Sequence, residues 1–481
     1  MKLSQLLEAT EHTLVGCTGD LEISDICYDS RKAAPGMLFV AVRGYQTDGH
    51  RYVQQALAAG CAAAVVEEAP DSSGPYVVVK NSRYALAVLS DAFFGHPARG
   101  MKLVGVTGTN GKTTTTHLIK GMLEQCTGEK VGLLGTNHTL IGQEEVPAER
   151  TTPESYDMFR LLRAMSDAGC AWAVMEVSSH ALVLNRVEGL HFAAAAFTNL
   201  TRDHLDFHNT MEEYARAKSL LFSHCSAAVV NADDPWYEVM LSAAQCPCLT
   251  YSAKSDTADL TAKNIRLLAD RIEFEALTTG NIGRVSLAIP GMFSVYNALC
   301  AVGVGLALGL DFQKVVGAMR SLHGVKGRIE VVPTGKDYTV IIDYAHSPDG
   351  MENVLSAVRG FAKGRVIALF GCGGNRDKTK RPMMGKVGGT GADVCIVTTD
   401  NPRFEDPRSI IDDILPGLEG CSAEVHVVVD RREAIRYALG MAQAGDVVVL
   451  MGKGHETYQE VKGVKLHLDE REEIAACLRG E

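Results

Sequence analysis

The chain has 481 residues, 46% hydrophobic and 22% charged, with a formal net charge of −11. At about 150 residues per domain this predicts about three domains, and the balance excludes a largely disordered chain, a collagen or a coiled coil. No stretch reaches the ~18 apolar residues of a membrane span, and an acidic surface argues against general nucleic-acid binding. The apolar run at the start carries Glu8 and Glu11, unlike a secretory signal. The 13 cysteines are scattered and form no Cys-x-x-Cys, and Cys246 and Cys248 only flank a proline, which is poor metal-ligand spacing. Dispersed thiols without an export signal predict a reducing compartment, the cytoplasm.

Three zones follow along the chain. The first runs to about Gly100, with strand-like segments at Met37 to Val42 and Tyr76 to Val79. It closes on the breaker cluster Gly95-His96-Pro97-Ala98-Arg99-Gly100, read as a linker. The second zone opens on Leu103-Val104-Gly105-Val106 and continues through Val131 to Leu134, Ala171 to Val177, Ala193 to Phe197 and Ala227 to Asn231. Continuous apolar strands alternating with helical segments predict a parallel sheet covered on both faces. This zone ends near Gly327-Arg328. The third repeats the pattern at Tyr338 to Ile342, Arg365 to Phe370, Asp393 to Thr398, Glu424 to Val429 and Asp446 to Met451, with a helical segment at Arg431 to Ala444. It reads as a second, smaller doubly wound domain.

The strand at Val104 runs into Thr107-Gly108-Thr109-Asn110-Gly111-Lys112-Thr113-Thr114 and then a helical pattern. Strand, glycine loop, lysine and hydroxyl at a helix start make a phosphate cradle. Gly108 and Gly111 let backbone N–H groups approach the oxygens, Lys112 reaches the β and γ phosphates, and the Thr113 hydroxyl suits magnesium. The glycine spacing is shorter than the common G-x-x-x-x-G-K-[ST].

Glu176 stands near the carboxyl end of the strand Ala171 to Val177, where open α/β sheets place their ligands. It is placed to hold magnesium, although a Glu standing alone, without the phosphate loop, is more often structural. Thr198-Asn199-Leu200-Thr201-Arg202-Asp203-His204-Leu205-Asp206 follows the next strand. From spacing alone, His204 is either a metal ligand or a hydrogen-bonded residue of a polar turn. Lys218 lies in a helical pattern and reads, by spacing, as a surface lysine snorkelling over an apolar face.

In the third zone, Gly371-Cys372-Gly373-Gly374-Asn375-Arg376, Asp400-Asn401-Pro402-Arg403 and Gly452-Lys453-Gly454-His455-Glu456 each follow a strand. Such loops converge on one crevice. Two arginines there grip carboxylates, while Asp400 and Glu456 suit an ammonium, so the crevice reads as a pocket for a zwitterionic amino acid with more than one carboxylate.

With these residues in view, the chain resembles the Mur ligase family over essentially its whole length. The resemblance rests on Asp29-Ser30-Arg31, Pro35-Gly36, Leu38-Phe39-Val40-Ala41, the phosphate loop, Glu176-Val177-Ser178-Ser179-His180 and Asn199 to Asp206. It continues through Tyr296-Asn297-Ala298, Gly327-Arg328, Asp343-Tyr344-Ala345-His346 and the three terminal loops. The short glycine spacing is the family's own. The resemblance implies an α/β fold of three domains: a smaller N-terminal α/β domain binding the UDP substrate (1–100), a central P-loop parallel-sheet ATPase domain (101–328) and a C-terminal Rossmann-like doubly wound domain binding an amino acid (329–481).

Site roles carry over residue by residue as implications of that resemblance. Ser30 and Tyr45-Gln46-Thr47 resemble the uridine site, and Gly108, Thr109, Asn110, Gly111, Lys112, Thr113 and Thr114 the ATP phosphate site. Thr151, Thr152, Ser178 and Arg186 match contacts to the UDP-sugar dipeptide. Glu176 and His204 match magnesium ligands, beside Thr113, and Lys218 matches a lysine that the family carbamylates with carbon dioxide, against its surface reading. Asn297, Arg328, Asp343 and His346 resemble residues that close on the nucleotide. Arg376, Asp400, Asn401, Pro402, Arg403, Gly452 and Glu456 match the pocket for the incoming amino acid. Leu184 departs from a glutamine that some members carry.

Asp-Asn-Pro-Arg resembles the version that takes meso-diaminopimelate rather than lysine. The implied reaction uses ATP and Mg2+ to join meso-diaminopimelate to UDP-N-acetylmuramoyl-L-alanyl-D-glutamate through an acyl phosphate, in peptidoglycan synthesis. A monomer is expected. The alternatives are another amide ligase of the superfamily, such as a folylpolyglutamate synthetase or a different Mur ligase, and a non-catalytic ATP-dependent switch. The N-terminal uridine-type domain and Asp-Asn-Pro-Arg oppose the first, and Lys112, Glu176 and Lys218 together oppose the second.

Overall fold

The structure, a computed structural model, describes residues 1–44, 47–148 and 150–480, with the side chain of Asp206 also outside the description. Tyr45 and Gln46 of the expected uridine segment therefore lie outside the described residues. The chain forms two compact units, one of Met1–Asp259 with Cys300–Asp311, the other of Leu260–Leu299 with Phe312–Glu481. No helix among the described residues is long and apolar enough to cross a membrane.

The first unit holds two sheets. One orders the strands His12–Val15, Tyr76–Val79, Ala63–Val66, Leu38–Val40 and Ile26–Cys27, with an antiparallel first pair and parallel pairs thereafter. In the other, Cys248–Ser252, Ala228–Asn231, Ala194–Phe197, Lys102–Thr107, Trp172–Glu176 and Val131–Leu134 run parallel, followed by the antiparallel His138–Ile141 and Glu144–Pro147. The strands Ala194–Phe197 and Val131–Leu134 are buried throughout, as their unbroken apolar runs require. Lys102–Thr107 lies between strands that come later in the chain, so its connections leave on both sides. That is the switch point at which an open α/β sheet forms its crevice. Register puts Glu176 opposite Val106 and Phe197 opposite Thr107, which brings three strand ends together.

The second unit holds an antiparallel sheet of Leu260–Leu267, Ile272–Thr278 and Asn281–Leu287. Its strands alternate buried residues with partly buried or exposed ones, the signature of a sheet with one wetter face. Its six-stranded sheet orders Glu330–Val332, Thr339–Asp343, Val447–Met451, Val366–Phe370, Val394–Val397 and Glu424–Val427, parallel except for the first pair. Apolar clusters lie on both its faces, one built on Met351, Leu355 and Ile411, the other on Ile435, Leu439 and Ile474. An exposed hairpin, Tyr458–Val461 with Val464–His467, completes the unit.

One buried ion pair aligns two strand ends of this sheet. Arg431 and Glu470 are both fully buried, and Arg431 Nε and Nη2 donate to Glu470 Oε1 at 2.9 and 2.7 Å. The same guanidinium donates to the carbonyls of Thr399 at 3.3 Å and Met451 at 2.9 Å. The Asp400 and Gly452 loops thus start side by side. Glu470→Ala leaves a buried guanidinium without its counter-charge, so it is expected to destabilise the unit by about 3–5 kcal/mol. Urea unfolding followed by circular dichroism measures this. A loss under about 1 kcal/mol, the scale of an exposed pair, would show that the two carbonyls alone hold Arg431.

Candidate active site

The phosphate loop follows the strand Lys102–Thr107 and enters the helix Lys112–Thr127. Gly108 has φ +150°, and a Cβ there would stand 1.9 Å from Thr198 Oγ1. Thr198 donates to the Asn110 carbonyl at 2.6 Å, and Asn199 receives the Thr109 and Asn110 N–H groups at 2.8 and 3.0 Å. The segment after Phe197 therefore braces the loop, a role that its sequence did not signal.

Two lysines end on one carbonyl. Lys112 Nζ donates to Gly108 O at 2.8 Å and to Thr109 O at 2.9 Å, while Lys218 Nζ donates to Gly108 O at 2.9 Å. Lys218 comes from the helix Met211–Ser219, capped by the Thr210 side chain, and is only 1% exposed. This corrects the surface reading from helical spacing: the side chain points inward, over the Tyr214 ring at 4.5 Å. Burial, reinforced by the Lys112 charge, holds its pKa well below that of an ordinary lysine.

Glu176 is 1% exposed and accepts from Thr136 N–H at 2.8 Å and from the Thr136 hydroxyl at 2.9 Å. Thr136 lies just past the strand Val131–Leu134 and was legible only by that position. Thr113, Glu176 and the Thr136 hydroxyl are oxygen donors, the chemistry a hard divalent cation takes, so the residues fit magnesium. His204 has φ +53° and lies 3.5 Å from Asp203, with its ring 4.9 Å from that of His180. Thr114 follows Thr113 on the first turn of the phosphate-loop helix.

The residues expected to hold a dipeptide nucleotide assemble beside Glu176. Thr152 Oγ1 donates to Glu176 O at 2.8 Å and lies 3.3 Å from Ser178 Oγ, which caps the helix Ser179–Val183. Thr151 lies 3.0 Å from the Thr136 hydroxyl. Arg186 meets Glu154 at 2.8 Å, and so do Arg150 at 2.7 Å and Arg83 at 3.5 Å. Among the described residues these three guanidiniums share one buried carboxylate, and Arg186 Nε is buried without a hydrogen-bond partner. Sequence reading missed Arg83 and Glu154, which stand 71 positions apart in the chain. Ser30 starts a short 3-10 turn capped by Asp29, Thr47 lies 3.4 Å from the Tyr52 hydroxyl, and Leu184 is half-buried after its helix.

The second unit carries the remaining expected residues. Asn297 is buried in the helix Met292–Ala307. Asp343 accepts from the Ile329 and Ala345 N–H groups, each at 2.8 Å, and burial raises its pKa. Arg328 packs its guanidinium 5.2 Å from the Tyr344 ring centre, and His346 Nδ1 lies 2.8 Å from Tyr344 O. Asn401 Nδ2 donates to Glu456 Oε2 at 2.9 Å, which also receives buried Lys453 at 2.9 Å. Gly452 has φ +115°, and a Cβ there would stand 2.5 Å from Asp400 Oδ2. Arg403 follows Pro402 and bonds the Gly374 carbonyl at 2.9 Å. Arg376 stands exposed on the glycine loop.

Three family models match the chain: "Mur ligase family, catalytic domain" over residues 22–94, "Mur ligase middle domain" over 106–305 and "Mur ligase, glutamate ligase domain" over 327–454. The chain is 45% identical to a UDP-N-acetylmuramoyl-L-alanyl-D-glutamate--2,6-diaminopimelate ligase of Caldanaerobacter subterraneus subsp. tengcongensis, covering 99% of each. It is 43% identical to the ligase of that name from Bacillus licheniformis, covering 98% of each. A solved structure of a ligase bearing this name superposes with a TM-score of 0.74 at 30% identity, covering 100% of this chain and 99% of the other. MurF from Acinetobacter baumannii, 20% identical with a TM-score of 0.63 over 99% and 98% of the chains, shares the fold.

Two imidazoles in the first unit lie far below their usual titration range. Burial takes both His117 and His208 down to about 4, and His208 sits 2.8 Å from Ser179 Oγ. An unfolded imidazole titrates near ~6.5. As pH falls below that, the unfolded chain binds protons that the folded chain refuses, so stability falls until about 4. His208→Gln keeps a donor for Ser179 but removes one such site. Its unfolding midpoint is expected to drop less between pH ~7 and pH ~5 than that of the unmutated protein. Equal drops would assign the acid limb to other groups.

Proposed function

The chain belongs to the Mur ligase family, and from that premise we propose that it adds meso-2,6-diaminopimelate to UDP-N-acetylmuramoyl-L-alanyl-D-glutamate with ATP, in the cytoplasm, as a step of peptidoglycan synthesis. The observation that supports the amino-acid choice is Arg403, on the same loop as Asn401, which bonds Glu456, and Asp400, which lies against Gly452. Residues 1–100 would hold the uridine end, 101–328 the ATP and the dipeptide, and 329–481 the amino acid.

A carboxylate is a poor acylating agent because its leaving group would be oxide. The γ-carboxylate of D-glutamate therefore attacks the γ-phosphorus of ATP, ADP departs, and an acyl phosphate forms. The amine of diaminopimelate then adds to the acyl carbon, loses a proton and expels phosphate as the amide forms. Lys112 and the N–H groups at the start of the helix Lys112–Thr127 stabilise the charge that develops on the transferring group. Thr113, Glu176 and His204, with a carbamate on Lys218, would hold magnesium, which when bound neutralises phosphate charge. Arg186, Thr152 and Ser178 orient the dipeptide, and Arg328, Asp343, His346 and Asn297 close on the nucleotide.

Lys218 supports the carbamate reading on physical grounds. A carbamate forms from a neutral amine and carbon dioxide, and a buried lysine with a lowered pKa supplies that amine. The product exchanges a cation for an anion in a place where Lys112 repels a second cation. Lys218→Ala is expected to be nearly inactive, with partial recovery on adding acetate. Fully active enzyme carrying unmodified Lys218, by mass spectrometry under native conditions, would overturn the carbamate.

The amino-acid choice is tested by phosphate release with the dipeptide nucleotide and a panel of amino acids. Lysine ends in an ammonium alone, whereas diaminopimelate adds a carboxylate beside it. A charge-assisted bond to Arg403 that only the distal carboxylate can make is worth ~1.5–3 kcal/mol, so the preference for diaminopimelate should reach about 10-fold or more in kcat/KM. Arg403→Ala is expected to raise the KM for diaminopimelate strongly and to change the weak lysine activity little. Comparable kcat/KM for the two amino acids in the unmutated enzyme would sink the assignment.

A further inference from the structure

The arginine assigned to the substrate's distal carboxylate already has a carboxylate on it. Arg403 Nε lies 3.2 Å from Glu460 Oε2, while Nη1 donates to Gly374 O at 2.9 Å. The Nη1 side faces the glycine loop closely, since a Cβ at Gly373 would stand 3.0 Å from that nitrogen. The edge that offers Nε and Nη2 together is therefore the one through which a carboxylate can be gripped with two hydrogen bonds. Glu460 stands on that edge.

The backbone around this pair is fixed. Glu460 N–H donates to Asn401 Oδ1 at 2.9 Å, Arg403 N–H to Glu460 O at 3.0 Å, Lys462 N–H to Arg403 O at 2.6 Å, and Gln459 Nε2 to Asp400 O at 2.7 Å. These bonds clamp the Asp400 loop to the strand Tyr458–Val461 and hold Arg403 at φ +53°. The Gly374 carbonyl is equally fixed, by its own N–H donating to Asn401 O at 2.9 Å. The Glu460 side chain is 26% exposed and ends on rotatable bonds. Of the two partners of Arg403, it is the one that can leave.

We infer that Glu460 is an internal stand-in for the substrate's distal carboxylate, a specificity-tuning residue that must swing off Arg403 for diaminopimelate to bind. This rests on the reading of Arg403 given above. An amino acid without that carboxylate has no need to displace Glu460, so the contact taxes diaminopimelate and spares lysine.

The test is steady-state kinetics of the full-length enzyme with both amino acids, in four forms: unmutated, Glu460→Gln, Arg403→Ala and the double variant. Glu460→Gln is expected to lower the KM for diaminopimelate about 2- to 5-fold, the scale of one partly exposed ion pair, without lowering that for lysine. In the Arg403→Ala background the same change should have no such effect. A KM for diaminopimelate that stays level or rises in Glu460→Gln overturns the inference, and so does an equal fall in the absence of Arg403. If Glu460 instead receives the distal ammonium, the KM rises for both amino acids, which also overturns it. Failure of the parent reading is a different result, seen in the unmutated enzyme as equal use of the two amino acids.

Discussion

Two amines share the carbonyl oxygen of Gly108, and the first unit is built around that fact. Lys112 and Lys218 approach it at 2.8 and 2.9 Å, one from the phosphate-loop helix and the other, 110 positions after the glycine they share, from the helix Met211–Ser219. Burial first, and the nearby Lys112 charge second, disfavour the protonated amine, so Lys218 yields its proton readily. The carbonyl is presented this way only because residue 108 has no side chain, since a Cβ would run into the Thr198 hydroxyl. Thr198 stands there because Phe197 pairs with Thr107 in the sheet. Register, glycine, carbonyl and amine chemistry thus form one chain of dependence.

The second unit solves the same problem, the placing of loops at strand ends, with buried charge. Arg431 and Glu470 align the ends that lead into Asp400 and Gly452. A parallel device holds the glycine loop: fully buried Arg381 grips Glu405 through both terminal nitrogens, at 3.0 and 2.9 Å, and keeps that carboxylate down to about 2. Glu405 in turn accepts the Asn375 N–H. Breaking the Arg431 pair would leave a guanidinium in the interior without its counter-charge, whereas Arg381 also holds Asp413 at 2.8 Å, and through these pairs the loops inherit the rigidity of the core.

The strands of both parallel sheets were legible because burial on two faces writes an unbroken apolar run. The ends of Ala171 to Val177 and Asp446 to Met451 differ from the observed strands by a single residue. The sheet of Leu260–Leu267, Ile272–Thr278 and Asn281–Leu287 was passed over, since a one-sided strand alternates instead. The phosphate loop, Glu176 and the three terminal loops were visible because their residues are contiguous. Spacing alone misread Lys218, which only the family resemblance singled out, because periodicity reports which face of a helix is apolar and says nothing of the Gly108 carbonyl that this lysine meets. Arg83 with Glu154, and Arg403 with Glu460, are pairings made by the fold across long stretches of chain, and no local pattern records them.

A protein of net charge −11 that gathers cations in its crevices has to keep them folded without their ligands. Beyond a Debye length of about 8 Å the acidic surface is screened, so each cluster must be balanced locally. The balances differ in kind. The Gly108 carbonyl offers the lysines a dipole, which any phosphate oxygen outbids. Glu154 offers three arginines one nearly buried carboxylate, which cannot leave without exposing all of them to each other and so stays as scaffold. Glu460 offers Arg403 a carboxylate on a half-exposed side chain, which solvent can take back. The ease with which an internal partner can be displaced is therefore set by that partner's burial, and burial grades the three clusters from the most fixed to the most readily opened.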